Sequence, residues 1–162
     1  MQQIMKTLNL PSFPYKTRQR ETQTDIFDSL RKKYVRLTPE EWVRQHIIHY
    51  LIYYRHYPSA LISIERPIRQ KDKGSPRADI LVYGKKCVPI MVIECKAPHK
   101  KLSKNTLQQM IQYNKEKIPF LVFTNGLQHF CFSTHRNKKH YVLLKEMPSF
   151  VEVQQNQNYV SL

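Results

Sequence analysis

The sequence predicts an α/β domain in which a mixed central β-sheet is flanked by helices, and three observations predict it. Two stretches rich in β-branched and aliphatic residues, Arg77–Tyr83 and Val88–Pro98, are separated only by Gly84-Lys85-Lys86, the pattern of two strands joined by a tight loop. Ahead of them, Val43, Ile47, Ile48, Leu51 and Tyr54 form an apolar stripe at helical spacing. Behind them come a second helical stretch and further short strands. The order helix, three strands, helix, strands is that of a sheet covered on both faces.

Taken in order, residues 1–30 read as an N-terminal arm, residues 31–150 as the folded domain and residues 151–162 as a flexible tail. In the arm, Pro11, Pro14 and the polar Lys16–Thr24 segment point to extended chain, and Asp25–Leu30 to a short helical turn. Thr38-Pro39-Glu40-Glu41 opens the first helix with a capping threonine, a proline at the first helical position and a glutamate three residues after the cap. By angle, Glu41 reaches back to the helix start, whereas Glu40 points along the buried stripe toward Val43 and Ile47. Arg44, four residues on, is placed to pair with Glu40.

Tyr57-Pro58 ends this helix, and Leu61–Arg66 reads as the first strand by alternation. Pro67–Pro76 is a polar loop whose Arg69, Lys71 and Lys73, with Arg77 after it, are set to touch a phosphate backbone. A second helix opens at Leu102-Ser103, with Leu107, Met110 and Ile111 facing the core and Gln109, Gln112 and Tyr113 on an adjoining side. Pro119–Thr124 is a continuous apolar strand expected at the sheet centre, and Gln128–Ser133 and Tyr141–Lys145 are further strands.

Three charges interrupt the apolar strand pair: Asp79, Glu94 and Lys96. Alternation puts Glu94 and Lys96 on one face, and puts Asp79 with Leu81 and Tyr83, opposite Ala78, Ile80 and Val82. Ile90–Ile93 is a continuous apolar run, as in a strand covered on both faces. Charges buried at its end must be paired or hold a metal. Two carboxylates are hard oxygen donors, which suit magnesium better than zinc.

Asp79 followed by Glu94-Cys95-Lys96 resembles the PD-(D/E)xK nuclease motif. The words Arg77-Ala78-Asp79-Ile80 and Ile93-Glu94-Cys95-Lys96-Ala97-Pro98 are similar to the N-terminal nuclease domain of type I restriction enzyme R subunits. Gln109-Met110-Ile111-Gln112-Tyr113 matches the Gln-x-x-x-Tyr signature of that subgroup, and Thr124-Asn125-Gly126 its strand-ending turn; the resemblance covers roughly residues 31–147. Ala78 stands where the motif name has proline.

The resemblance implies a restriction-endonuclease-like core and Mg²⁺-dependent hydrolysis of DNA phosphodiesters, with Mn²⁺ as a substitute ion. Asp79, Glu94 and the backbone carbonyl of Cys95 would hold the metal, and Lys96 would act on the water or the developing charge. An auxiliary acidic residue on the first helix falls to Glu40, with Glu41 as the runner-up. Gln109 would position the phosphate or a ligand, with Tyr113 beside the nucleic acid. Implied partners are DNA and either a second copy or other restriction or repair subunits. No GxxxxGK[ST] phosphate loop is present, so the chain reads as a free-standing domain or a piece of something larger.

Composition bounds the alternatives. The formal charge of +15, from 27 Lys and Arg against 12 Asp and Glu, points to a polyanionic partner, nucleic acid first. No apolar run approaches membrane-spanning length. Cys87, Cys95 and Cys131 form no CxxC pair, which with the absence of a leader pattern suggests reduced thiols in the cytoplasm. Two other readings stand beside the nuclease: a module of the same fold that holds nucleic acid without cutting it, and a subunit whose basic face docks an acidic protein.

Overall fold

The computed structural model describes residues 5–68, 77–84, 87–103, 108, 111, 114, 118–134 and 141–155. The chain opens with a three-stranded antiparallel sheet, β1 (Thr17–Gln19), β2 (Thr24–Asp28) and β3 (Lys33–Arg36). Helix α1 (Pro39–Tyr53) follows. Then come the six strands of the main sheet, β4 (Ile62–Pro67), β5 (Arg77–Tyr83), β6 (Pro89–Cys95), β7 (Phe120–Thr124), β8 (His129–Thr134) and β9 (Tyr141–Leu144), lying side by side in chain order. A short helix, α2 (Phe150–Gln155), closes the described chain.

Only β6 and β7 run parallel; every other pair is antiparallel, so the sheet is mixed. A parallel pair needs a crossover, and Gln108 and Ile111 within it are helical. β6 and β7 take the two central positions, which explains their near-continuous apolar sequences: strands covered on both faces have no solvent side to make polar. On one face α1 lays Val43, Ile47, Ile48 and Leu51 against Ile80, Val82, Met91, Ile93, Phe120 and Val122. On the other, Leu81, Val92, Ile118 and Leu121 form a smaller cluster on which Ile111 packs. The fold is thus α/β, with the mixed central sheet that the sequence predicts.

The first thirty residues depart from the expected extended arm. Asp25–Leu30 is not a helical turn, because Thr24–Asp28 is the middle strand of the N-terminal sheet. Asp28 makes the following turn: its Oδ1 accepts the backbone N–H groups of Leu30 and Arg31, each at 2.8 Å, an aspartate turn that needs no glycine or proline. Ile26 is fully buried in the main core, and a boundary at residue 30 would cut through the β2–β3 pair. At the other end, α2 sends Val153 into the same core, so helix replaces the start of the expected tail; residues 156–162 lie outside the described residues. Tyr54, expected on the buried stripe of α1, is the helix C-cap and is half exposed.

If the N-terminal sheet is part of the folded unit, Ile26→Ala lowers the unfolding free energy of the whole domain by about 2–5 kcal/mol, the range for emptying a fully buried aliphatic site. Urea unfolding followed by circular dichroism reads this, and a loss under about 1 kcal/mol would show the sheet to be a dispensable appendage.

Candidate active site

β5 and β6 pair with Ile80 opposite Ile93 and Leu81 opposite Val92; one further step in that register sets Asp79 across from Glu94. The side chains meet at the C-terminal end of β6. The Cys95 N–H donates to Asp79 Oδ2 at 2.7 Å, and Lys96 Nζ donates to Glu94 Oε1 at 2.5 Å. Glu94 and Lys96 are each about one-third exposed, so the pair sits at the rim of the core rather than inside it. Cys95 turns its side chain the other way and is fully buried; burial pushes its thiol pKa well up, which suits packing and not reactivity.

The segment after Lys96 is anchored by the turn at the end of β7. The Lys96 N–H donates to the Thr124 carbonyl at 2.8 Å, extending the parallel ladder by one residue. Asn125 Nδ2 donates to the Lys100 carbonyl at 2.9 Å, while its Oδ1 accepts the N–H groups of Leu127 and Gln128. Gly126 has φ +81°, and a Cβ there would stand 2.8 Å from a Leu8 methyl carbon and 3.1 Å from one of Val43. The Thr124-Asn125-Gly126 run therefore ties the lysine strand to the N-terminal segment and α1, and its glycine is required by backbone and space together.

Helix α1 supplies the rest. Thr38 Oγ1 accepts the Glu41 N–H at 3.0 Å, as the capping pattern predicts. The Glu41 carboxylate, however, does not return to the helix start; the Thr38 N–H instead donates to the Arg36 carbonyl at 3.1 Å. Glu41 is buried, accepting from Arg31 at 2.7 Å, from Gln45 at 2.7 Å and from Arg44. The two glutamates thus exchange places relative to the angular expectation: Glu41 is the enclosed one, and the Glu40 side chain is 43% exposed. The cause is the N-terminal sheet, whose β2–β3 turn brings Arg31 over the flank of α1.

Arg44 joins this helix to the strand pair. Its Nη2 donates to Asp79 Oδ1 at 2.7 Å and its Nη1 to Glu41, with Glu65 at 3.5 Å. The expected Glu40–Arg44 pair is present but loose, at 3.8 Å. Asp79 consequently faces α1, not the Leu81 side, and Ala78 joins the Leu81 cluster instead. Period-two alternation fails here: Asp79 and Ile80 both face α1, although the β4–β5 register is the same at Ile64–Ile80 and at Arg66–Ala78; between those pairs Glu65 has φ +52°.

The electrostatics follow. Burial, with Asp79 and Glu40 nearby, raises the Glu94 pKa above the ordinary glutamate value, against the pull of Lys96. Glu40 is raised by burial and by Asp79, with Lys96 and Arg44 opposing. Burial works against the Lys96 ammonium, but Glu94, Glu40 and Asp79 more than offset it and hold its pKa above the usual lysine value. Asp79, Glu94, Lys96 and Glu40 therefore share one electrostatic neighbourhood. Arg77 is exposed at the start of β5. Gln109, Tyr113, Arg69, Lys71 and Lys73 lie outside the described residues.

Arg44, Arg31 and Glu65 are site neighbours that sequence reasoning did not select for the site. Arg44 carried a signal, its i,i+3 spacing from Glu41; Arg31 and Glu65 carried none, since their partners are distant in the chain.

A mixed sheet bearing two carboxylates at adjoining strand ends, with a lysine two residues past the second, defines the restriction-endonuclease-like class. The type I restriction enzyme R protein N terminus (HSDR_N) family model matches residues 39–148, and the chain belongs to that family. Among curated proteins, no match to the chain is found.

Removing the Arg44 guanidinium leaves Asp79 and Glu41 without their shared cation, so Arg44→Met should cost about 3–5 kcal/mol, as for breaking a buried pair. Glu40→Gln, at a half-exposed and loosely paired position, should cost under about 1 kcal/mol. Denaturant titration of both variants checks this ordering, and equal losses would contradict the geometry.

Proposed function

We propose that the chain is a Mg²⁺-dependent nuclease that hydrolyses phosphodiester bonds of DNA, working with other restriction subunits. The observation that carries this reading is the meeting of Asp79, Glu94 and Lys96 at one end of the β5–β6 pair, with Glu40 beside them. Among the described residues no three His, Cys, Asp or Glu side chains gather as a ready metal cluster. Two hard carboxylates, with Glu94 raised by burial and then by the nearby Asp79, nonetheless fit Mg²⁺, which is held by one or two carboxylates and keeps waters for its other positions.

Asp79, Glu94 and the Cys95 carbonyl would hold the ion. When bound, Mg²⁺ supplies Lewis acidity, lowering the pKa of a water and neutralising charge that gathers on the phosphoryl oxygens. The Cys95 N–H and Arg44 fix the Asp79 carboxylate, so its free lone pairs keep one direction. The Lys96 ammonium, held charged by the surrounding carboxylates, donates a hydrogen bond to the attacking water or to a phosphate oxygen after parting from Glu94. Glu40 serves as the auxiliary acid, and Gln109 positions the scissile phosphate. Arg69, Lys71, Lys73, Arg77 and Tyr113 hold the flanking strand through salt-sensitive contacts.

One observation favours a second reading, a non-cleaving nucleic-acid module. Asp79 already has both oxygens engaged and Lys96 is already paired, so the site is electrostatically complete in itself.

Nicking of supercoiled plasmid with Mg²⁺ or with EDTA, together with calorimetric Mg²⁺ titration, separates the two. Glu94→Ala and Asp79→Asn should lose metal binding and nicking together. Lys96→Ala should keep metal binding while nicking falls by about 10²–10⁴-fold, the usual contribution of a proton-transfer or charge-stabilising group. A wild type that binds DNA yet never nicks it with Mg²⁺ or Mn²⁺ would establish the second reading.

A further inference from the structure

The N-terminal sheet has a second face, turned away from the core. Ile26 and Val35 pack inward, so alternation puts Arg18, Asp25, Phe27, Tyr34 and Arg36 outward, with Lys16 across from Phe27 at the margin. An ordinary solvated face mixes charges of both signs. Here the carboxylate of the face, Asp25, is only 2% exposed. It lies beneath Arg18 Nε at 3.0 Å and Arg20 Nε at 2.7 Å, with Gln23 Nε2 at 2.9 Å. Asp25 thus presents no anionic surface; it anchors two guanidinium groups whose side chains are 42% and 55% exposed. The Arg18 guanidinium also lies 4.3 Å from the Tyr34 ring centre, and Phe27 meets Tyr34 edge-on at 5.2 Å. Lys16 and Arg36 are exposed beside them; the nearby exposed acid is Glu21, in the β1–β2 turn.

We propose that this face is a DNA-binding surface that grips the phosphate backbone of the substrate flanking the cleavage site. The inference rests on the DNA-nuclease reading and adds to it a surface that lies ahead of the family-matched segment 39–148. The buried Asp25 carboxylate makes the Asp25–Arg18–Arg20 cluster part of the fold, yet its two guanidinium groups stay on exposed side chains, open to a further anion. The cluster is a preset fork, because arginines already fixed lose less freedom when they bind phosphate. A partly buried aromatic pair carrying a guanidinium is a stacking and backbone platform for nucleic acid, which an acidic protein would not require. The surface is also fixed to the site: from the β2–β3 turn, Arg31 bonds Glu41 at 2.7 Å and Glu65 at 3.0 Å, and both contact Arg44, the partner of Asp79.

The test uses the full chain in EDTA, where cleavage plays no part, with a fluorescent DNA duplex and anisotropy read across a salt series. The double variant Lys16→Glu/Arg36→Glu touches two exposed residues outside the ion pairs and the site, and Lys16→Gln/Arg36→Gln is its milder form. Charge reversal should weaken binding at least about tenfold and lower the slope of log K against log salt by about two, one unit per lost phosphate contact. The Gln pair should give a smaller loss in the same direction, and Lys145→Glu, beyond the far edge strand β9, should stay within about twofold of wild type because it removes no contact. Binding unchanged in both double variants would overturn the proposal while leaving the nuclease reading intact. Wild type that binds no DNA would overturn both. Variants that keep DNA but lose affinity for poly-glutamate would assign the face to an acidic protein and overturn it as well.

Discussion

The structure hangs on a single guanidinium. Arg44 lies almost fully enclosed between α1 and the β5–β6 pair, bonded to Asp79 on one side and Glu41 on the other, with Glu65 and Glu40 within reach. A cation in that position must be matched by carboxylates, and carboxylates crowded that closely need the cation. Burial opposes the charge on Arg44, yet Asp79 and Glu41 hold its pKa above the ordinary arginine value. The arrangement therefore fixes the rotation of α1 about its axis: turned by one residue, the helix would offer Glu40 to Arg31 and leave Glu41 facing water.

From this contact the charge network runs outward through Arg31, which bonds Asp28, Glu41 and Glu65. Asp28, fully buried, is also the acceptor of Gln45 and the residue that shapes the β2–β3 turn. A small sheet ahead of the family-matched segment is thereby joined to the carboxylates by charge-assisted bonds as well as by Ile26 in the core. This linkage gives the N-terminal strands a bearing on the site that their short length would not suggest.

Under the proposed nuclease function, two requirements compete at the strand ends. Stability without a metal favours every charge paired, and Glu94–Lys96 and Asp79–Arg44 achieve this. Chemistry on a phosphodiester favours carboxylate lone pairs left open and a lysine free to donate. The pairing of Glu94 with Lys96 is the simpler one to exchange, since both side chains are about one-third exposed and water can replace either partner. Asp79 is held from the interior and changes least.

Local patterns were legible in the sequence because they depend on near neighbours. The continuous apolar runs of β6 and β7, the threonine cap of α1 and the Thr124-Asn125-Gly126 turn all follow from residues a few positions apart, and the Asp79, Glu94 and Lys96 set could be read from the strands that carry it. What tertiary structure alone decided are the matters that depend on distant partners. The N-terminal strands are short, and an aspartate side chain closes their turn in place of glycine or proline. The side to which Asp79 turns is that of Arg44, a partner 35 positions away in the chain. Which glutamate is enclosed was set by Arg31, ten residues ahead of Glu41 and carried in by a sheet the sequence did not announce. Periodicity marks which stretches form strands and helices, but the face a charge takes and the partner that meets it are chosen only when the chain closes on itself.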